Sequence, residues 1–153
     1  MPVRLACRWR YAAITLALCI WATPAAAQCS ASANGVAFGS YNALSGLAVN
    51  SVGNVSVSCL LSLGYNISLS SGGAGSFSPR RLNNGGNTLN YNLYTGPTYL
   101  TVWGDGSGGT ATVSGSIGFL LIPVNHVVYG RIPAGQNAAA GSYTDTISVT
   151  VTY

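Results

Sequence analysis

The side chains able to carry chemistry are few and far apart. Beyond residue 27 the chain holds one histidine, His126, two aspartates, Asp105 and Asp145, three arginines, Arg80, Arg81 and Arg131, and two cysteines, Cys29 and Cys59. Lysine and glutamate do not occur anywhere in the 153 residues. Hydrolysis by paired carboxylates needs two acids flanking one bond, yet Asp105 sits inside Gly104-Asp105-Gly106, a tight-turn signature. A Ser-His-Asp relay would have to recruit His126, and no G-x-S-x-G elbow is present. A lone histidine and dispersed aspartates cannot supply three or four metal ligands. No catalytic, cofactor or metal site is therefore expected, and His126 reads as a half-buried strand residue.

The remaining polar candidates have plainer readings. Asp145 has Arg131 and Arg80 as candidate partners, with a solvated charge as the alternative. Arg80-Arg81 reads as a solubilising loop pair rather than an anion site. Trp103 and the tyrosines are candidate sugar-stacking platforms, against core and cross-strand packing. The sequons Asn54-Val55-Ser56 and Asn66-Ile67-Ser68 matter only in a eukaryotic secretory route.

Residues 1–27 read as a secretory signal peptide. Arg4, Arg8 and Arg10 form a basic start, Tyr11 to Trp21 an apolar run, and Ala25-Ala26-Ala27 a small-residue cleavage site before Gln28. The apolar run is shorter than the roughly 20 residues a spanning helix needs. The net charge of +4 comes largely from those leader arginines; three arginines against two aspartates leave +1 beyond them. That excludes the cationic surface nucleic-acid binding requires. It leaves a Ser/Thr/Asn/Gly surface with little charge repulsion to oppose self-association. Cys7 and Cys19 depart with the leader. Cys29 and Cys59, an even pair in an exported chain, read as a disulfide, the alternative being two unpaired buried thiols. Closing a loop of that length contributes roughly 3–4 kcal/mol on the chain-entropy estimate.

The elements that would hold these groups are strands. The last eleven residues, Tyr143 to Tyr153, alternate strictly apart from Asp145: Tyr143, Ile147, Val149, Val151 and Tyr153 on one face, hydroxyls on the other. Val49 to Cys59, Tyr65 to Leu69 and Leu89 to Leu93 alternate in the same way. Short strands are also expected at Val36–Tyr41, Tyr99–Trp103 and Val127–Tyr129. Ile117–Ile122, apolar on both faces, reads as a central strand, and 71–78 and 131–141 read as loops. No window supports an amphipathic helix. Many short strands separated by turn signals predict one all-β sandwich domain over 28–153. Its last strand, with nothing after it to pair, lacks a partner.

Eight motifs in order make the chain resemble the spore coat protein U domain family, shared with subunits of archaic (Csu-type) chaperone–usher pili. They are Phe38-Gly39-x-Tyr41, Val57-x-Cys59, Tyr65-x-Ile67-x-Leu69-Ser70, Arg81-Leu82, Leu89-x-Tyr91-x-Leu93-Tyr94, Trp103-Gly104-Asp105-Gly106 and Val128-Tyr129-Gly130-Arg131-Ile132-Pro133. The last and most specific is the ending Gly141-x-Tyr143-x-Asp145-Thr146-x-x-Val149-Thr150-Val151-x-Tyr153. The resemblance implies an immunoglobulin-like β-sandwich that is incomplete, lacking its last strand, with a Cys29–Cys59 disulfide. It implies a non-enzymatic fimbrial subunit, exported through the periplasm to the cell surface, whose open edge at Ile147, Val149, Val151 and Tyr153 is completed by a donated strand. The implied partners are a periplasmic pilus chaperone, an outer-membrane usher and neighbouring pilin subunits, with roles in adhesion or biofilm. The chain departs from shaft pilins because only Gln28 precedes Cys29, which leaves no donor extension and favours a tip or terminal position. The runner-up is a self-complete secreted coat or carbohydrate-binding sandwich. A small secreted hydrolase is disfavoured by the missing acid/base groups.

Overall fold

The longest alternating stretch in the sequence becomes the spine of the larger sheet. In a computed structural model, which describes residues 28–60, 64–116 and 122–153, strand β2 spans Val49–Leu60. Its inward side chains Val55, Val57 and Cys59 are buried while Ser56 and Ser58 on the other face are partly exposed. β2 pairs antiparallel with β1 (Gln28–Asn34), placing Cys29 opposite Cys59, and on its other side with β7 (Val124–Ile132). The two opposed cysteines are joined by a disulfide. β5 (Asn87–Tyr94) extends the sheet beside β7, and β4 (Arg80–Asn84) closes it as a hairpin, giving the order β1-β2-β7-β5-β4. A second, three-stranded sheet has β3 (Tyr65–Leu69) between β6 (Val113–Gly115) and β8 (Val149–Thr152).

Between the sheets lies the core: Val55, Val57, Ile67, Leu69, Leu93, Trp103 and Ile132 are each at most 5% exposed. Trp103 ties the layers together, since its indole N–H donates to Ile67 O (3.1 Å) and its backbone N–H to Leu93 O (2.9 Å). The molecule is an all-β sandwich, and no helix occurs among the described residues.

Several expected elements differ. Residues 36–41 are not a strand; the first strand precedes them at 28–34, and the chain then leaves β1 to cross the inner face of the large sheet. Glycines make that crossing possible. A Cβ on Gly130 would lie 2.6 Å from Val36 Cγ1 and 2.8 Å from Phe38 Cζ, and one on Gly53 2.9 Å from Val36 Cγ2. Any larger residue there would lift the segment off the sheet. Tyr99–Trp103 is reduced to single bridges at Val102 and Trp103, because Tyr99 adopts φ 55°, a left-handed conformation that interrupts extension. The terminal strand is likewise shorter than expected: Thr144 bridges Asn83 at the edge of the large sheet, and only Val149–Thr152 pairs with β3 in the small one. The chain changes sheets between them. Arg80, expected on a loop, opens β4. The expected leader and residues 117–121 of the expected central strand lie outside the described residues, while Ile122 is exposed and outside any strand.

Candidate functional site

Two extended stretches face each other across an opening in the sandwich. One wall runs from Ala33 at the end of β1 through Val36 and Phe38 to Ala43. The other runs back from Val149 through Ile147 and Asp145 to Ala138. Between them lie two cavities of about 200 and 870 Å³ that share Val36, Phe38, Leu82 and Asp145, so they form one continuous groove. The smaller end is apolar, floored by core side chains including Val55, Leu69, Leu93 and Val128. The larger end passes Tyr41 and the Ala138-Ala139-Ala140 run.

The walls are short of backbone partners. Residues 35–48 make no ladder pair with any described strand, and β8 has a neighbour, β3, on one side only. From Ala138 to Ile147 the ladder touches the wall once, at Thr144, and Ser148 O then accepts from Ser70 N–H (2.9 Å) where the chain joins the small sheet. Extended backbone bordering an apolar floor is a template for an added strand, because its N–H and C=O groups supply the ladder and alternate floor pockets take every second side chain. At 3.3 Å per residue, a groove walled by residues 33–43 accommodates a strand of about ten residues.

Asp145 is the one acid at the groove, and its charge is already accounted for. Oδ2 accepts the Tyr91 hydroxyl (2.7 Å), and Oδ1 accepts the backbone N–H groups of Gly73 and Thr146 (2.8 Å each). Burial, reinforced by the bond to Asp145, pushes the Tyr91 phenol far above its ordinary range, so it stays a donor. Neither candidate arginine is hydrogen-bonded to this carboxylate. Arg80 is fully buried: Nη1 donates to Asn92 Oδ1 (2.9 Å), Nη2 to Trp103 O (2.7 Å) and Ser70 O (2.8 Å), and Nε again to Ser70 O (3.0 Å). Its guanidinium also lies 5.0 Å from the Phe77 ring centre. Burial lowers its pKa from the ordinary arginine value. Arg131 stacks on Tyr99 at 4.9 Å.

The other titratable groups are equally committed. The Tyr65 hydroxyl meets His126 Nε2 at 2.7 Å, linking the two sheets, and burial pushes the imidazole below its ordinary value. Asp105 accepts from Ser107 Oγ (2.6 Å) and Ser107 N–H (2.9 Å), which hold it below the usual carboxylate range in an exposed turn. His126, Asp105 and Asp145 thus have three different partners rather than one another.

The structure distributes the expected edge residues unevenly. Ile147 and Val149 line the smaller cavity, Val151 packs on the core from within β8, and Tyr153 lies past the strand end at 58% exposure. Sequence reasoning missed the opposite wall, residues 33–43. The signal for it was Gly53 and Gly130, glycines placed where alternation called for inward side chains.

Comparison with known proteins agrees with this architecture. Residues 14–150 match the family model described as Spore Coat Protein U domain. Protein U of Myxococcus xanthus is 34% identical over 129 residues, covering 76% of this chain and 70% of that protein. Among solved structures, the CsuC-CsuE chaperone-tip adhesion subunit pre-assembly complex from archaic chaperone-usher Csu pili of Acinetobacter baumannii aligns with a TM-score of 0.61 over 84% of this chain. The identity there is 20%, a likeness of fold, and the match spans 40% of the solved chain.

Proposed function

The chain belongs to the Spore Coat Protein U domain family, and from that membership we propose that it is a non-enzymatic subunit of a chaperone–usher surface fibre, completed by a strand lent to its groove. The observation that carries this reading is the pair of facing walls, 33–43 and 138–149, unladdered along most of their length over an apolar floor. Ile147, Val149 and Val151, with Tyr153 beyond them, form the accepting edge. Residues 1–27 are the leader and 28–153 the single domain. The partners are a periplasmic chaperone that fills the groove first, an outer-membrane usher, and a neighbouring subunit whose extension replaces the chaperone strand. The fold likeness to a subunit solved with its chaperone supports this assignment.

Within the fibre we place the subunit at a terminal position, where a role in adhesion or biofilm would follow. Supporting this, Gln28 is already paired with Leu60 in the chain's own sheet, so nothing after a cut at Gln28 is left over to donate. The test is a synthetic peptide of about ten residues with alternating apolar side chains, copied from a companion subunit's N-terminus. Added in excess to the purified mature chain, it should raise the melting temperature in proportion to the logarithm of its concentration. A scrambled peptide should not. A monomer whose melting ignores the peptide would instead be a self-complete coat protein. Long ordered homopolymers of the unmodified mature chain would overturn the terminal placement.

A further inference from the structure

We propose that the outer face of the five-stranded sheet carries a binding platform for an acidic sugar, built from Tyr94, Tyr99, Tyr129 and Arg131. The proposal does not rest on the groove, which opens between the sheets rather than on this outer face. Register places Val52, Tyr129 and Tyr94 side by side across β2, β7 and β5, since Val52 pairs with Tyr129 and Tyr129 with Tyr94. Their chain neighbours Leu93, Val128 and Gly130 are buried, so these three project away from the core. Tyr99 closes the row, its ring perpendicular to Tyr94 with centroids 5.5 Å apart. Arg131, next along β7 on the same face, lies 4.9 Å from the Tyr99 ring centre.

Three features separate this cluster from ordinary cross-strand packing. Toward β1 the outer face is mostly Ser and Asn, including Ser30, Ser32, Asn54 and Ser56 beside the exposed Val127, so aromatic side chains are concentrated at the other end. Tyr99 is the one described non-glycine residue with positive φ, at 55°. A bulky side chain in that conformation is unfavourable by about 1 kcal/mol or more, and such outliers persist where the surroundings impose them and cluster at functional sites. Finally, the face carries a cation without an acid. Arg131 contacts Tyr99 through its guanidinium, while the two aspartates of the chain are bonded to Ser107 and to Tyr91 with Gly73. A planar guanidinium pinned against an aromatic ring presents its edge N–H groups as a fork that matches a carboxylate. Half-exposed tyrosine rings offer apolar faces for the C–H surface of a pyranose and hydroxyls for its rim. Together they fit a uronic-acid unit of a polysaccharide: ring on ring, carboxylate on Arg131.

The probe is oligogalacturonate, titrated against the full chain in its secreted form, with the methyl ester of the same oligosaccharide as the neutral comparator. The acid form should bind about tenfold more tightly than the ester, the size of one charge-assisted hydrogen-bonded contact. Arg131→Gln should erase that preference and leave weak binding of both forms, with Arg131→Lys restoring only part of it. Tyr99→Gly removes the ring while suiting the positive φ, so it should fold normally yet lose binding of both saccharides. Equal binding of acid and ester, an unchanged preference in Arg131→Gln, or unchanged affinity in Tyr99→Gly would overturn the proposal. So would substitutions on this face that alter only the self-association of the chain, since the occupant would then be a second copy.

Discussion

Asp145 stands between two regions that treat their backbone in opposite ways. Around Arg80 every polar group finds a partner within the chain. The guanidinium collects Ser70 O, Trp103 O and Asn92 Oδ1, Asn92 Nδ2 in turn donates to Phe77 O, and Thr144 exchanges both backbone hydrogen bonds with Asn83. Across Asp145 the groove walls have no ladder pair with each other, and only Thr144 of one wall bridges to Asn83 in β4, over an apolar floor. The Arg80 cluster joins the strand end after β3, the strand β5 and Trp103, and so clamps the two sheets on one side. That clamp lets the opposite side stay open without collapse. Closure on one side holds the groove in shape on the other.

The largest expected effect comes from breaking the clamp. Arg80→Met would leave the carbonyls of Ser70 and Trp103 without the donor they share and take one of the two donors from Asn92 Oδ1, and should destabilise the fold by roughly 3–5 kcal/mol. Arg80→Lys should recover little, since one ammonium cannot span three acceptors in the plane of a guanidinium. Denaturant midpoints of the two variants measure this. A loss below about 1 kcal/mol would mean that the closed side is not what holds the sheets.

Next in size is a charge placed in the groove. Val149→Asp puts a carboxylate into the small cavity beside Leu69 and Leu93, and should lower stability by roughly 2–3 kcal/mol while abolishing peptide binding. Thr150→Asp, one residue on and exposed, should stay within about 0.5 kcal/mol and bind peptide normally. Accumulation and melting of the two variants, side by side, decide the face assignment. Equal losses would show that β8 does not turn Val149 inward.

Gly130→Ala separates the two regions more finely. The added methyl meets Val36 and Phe38 but none of the Arg80 partners. It should destabilise the chain by about 1–2 kcal/mol as those side chains shift. Because both line the groove, peptide affinity should fall more than global stability does. Loss of stability with unchanged peptide affinity would detach the 36–43 wall from the binding site.

How much of this was readable beforehand depended on whether a residue's environment was local. Strands β2, β3 and β5 were legible because alternation on a half-buried sheet is a period-two signal carried by the residues themselves. The strand carrying Val149 and Val151 was legible for the same reason. The opposite wall was not, since Val36 and Phe38 look like any short alternating strand, and it is Gly53 and Gly130, far along the chain, that let them cross the sheet. Arg80 was misread through composition: two adjacent arginines suggest solvent, whereas the acceptors that bury the first one come from residues 70, 92 and 103. Asp145 broke an otherwise strict alternation, and the break marks where the chain leaves one sheet for the other.

The smallest effect lies far from both regions and tests whether either is sensitive to acid. His126, the only histidine, links the sheets through a 2.7 Å hydrogen bond between its Nε2 and the Tyr65 hydroxyl. Burial holds its folded-state pKa below the ordinary 6.5. Between those two values the unfolded chain binds a proton that the folded chain does not, so stability is fully present above pH 6.5 and is lost as the pH falls through that window. The ring is only partly buried, and solvent screening limits the loss to about 0.5 kcal/mol at most. Melting curves between about pH 7.5 and about pH 5 should show a shallow decline that disappears in His126→Gln. Because Asp145 and Arg80 do not contact His126, peptide binding at the groove should follow the stability and no more. A steeper acid loss of peptide than of fold would mean that His126 is not what sets the acid response of the groove.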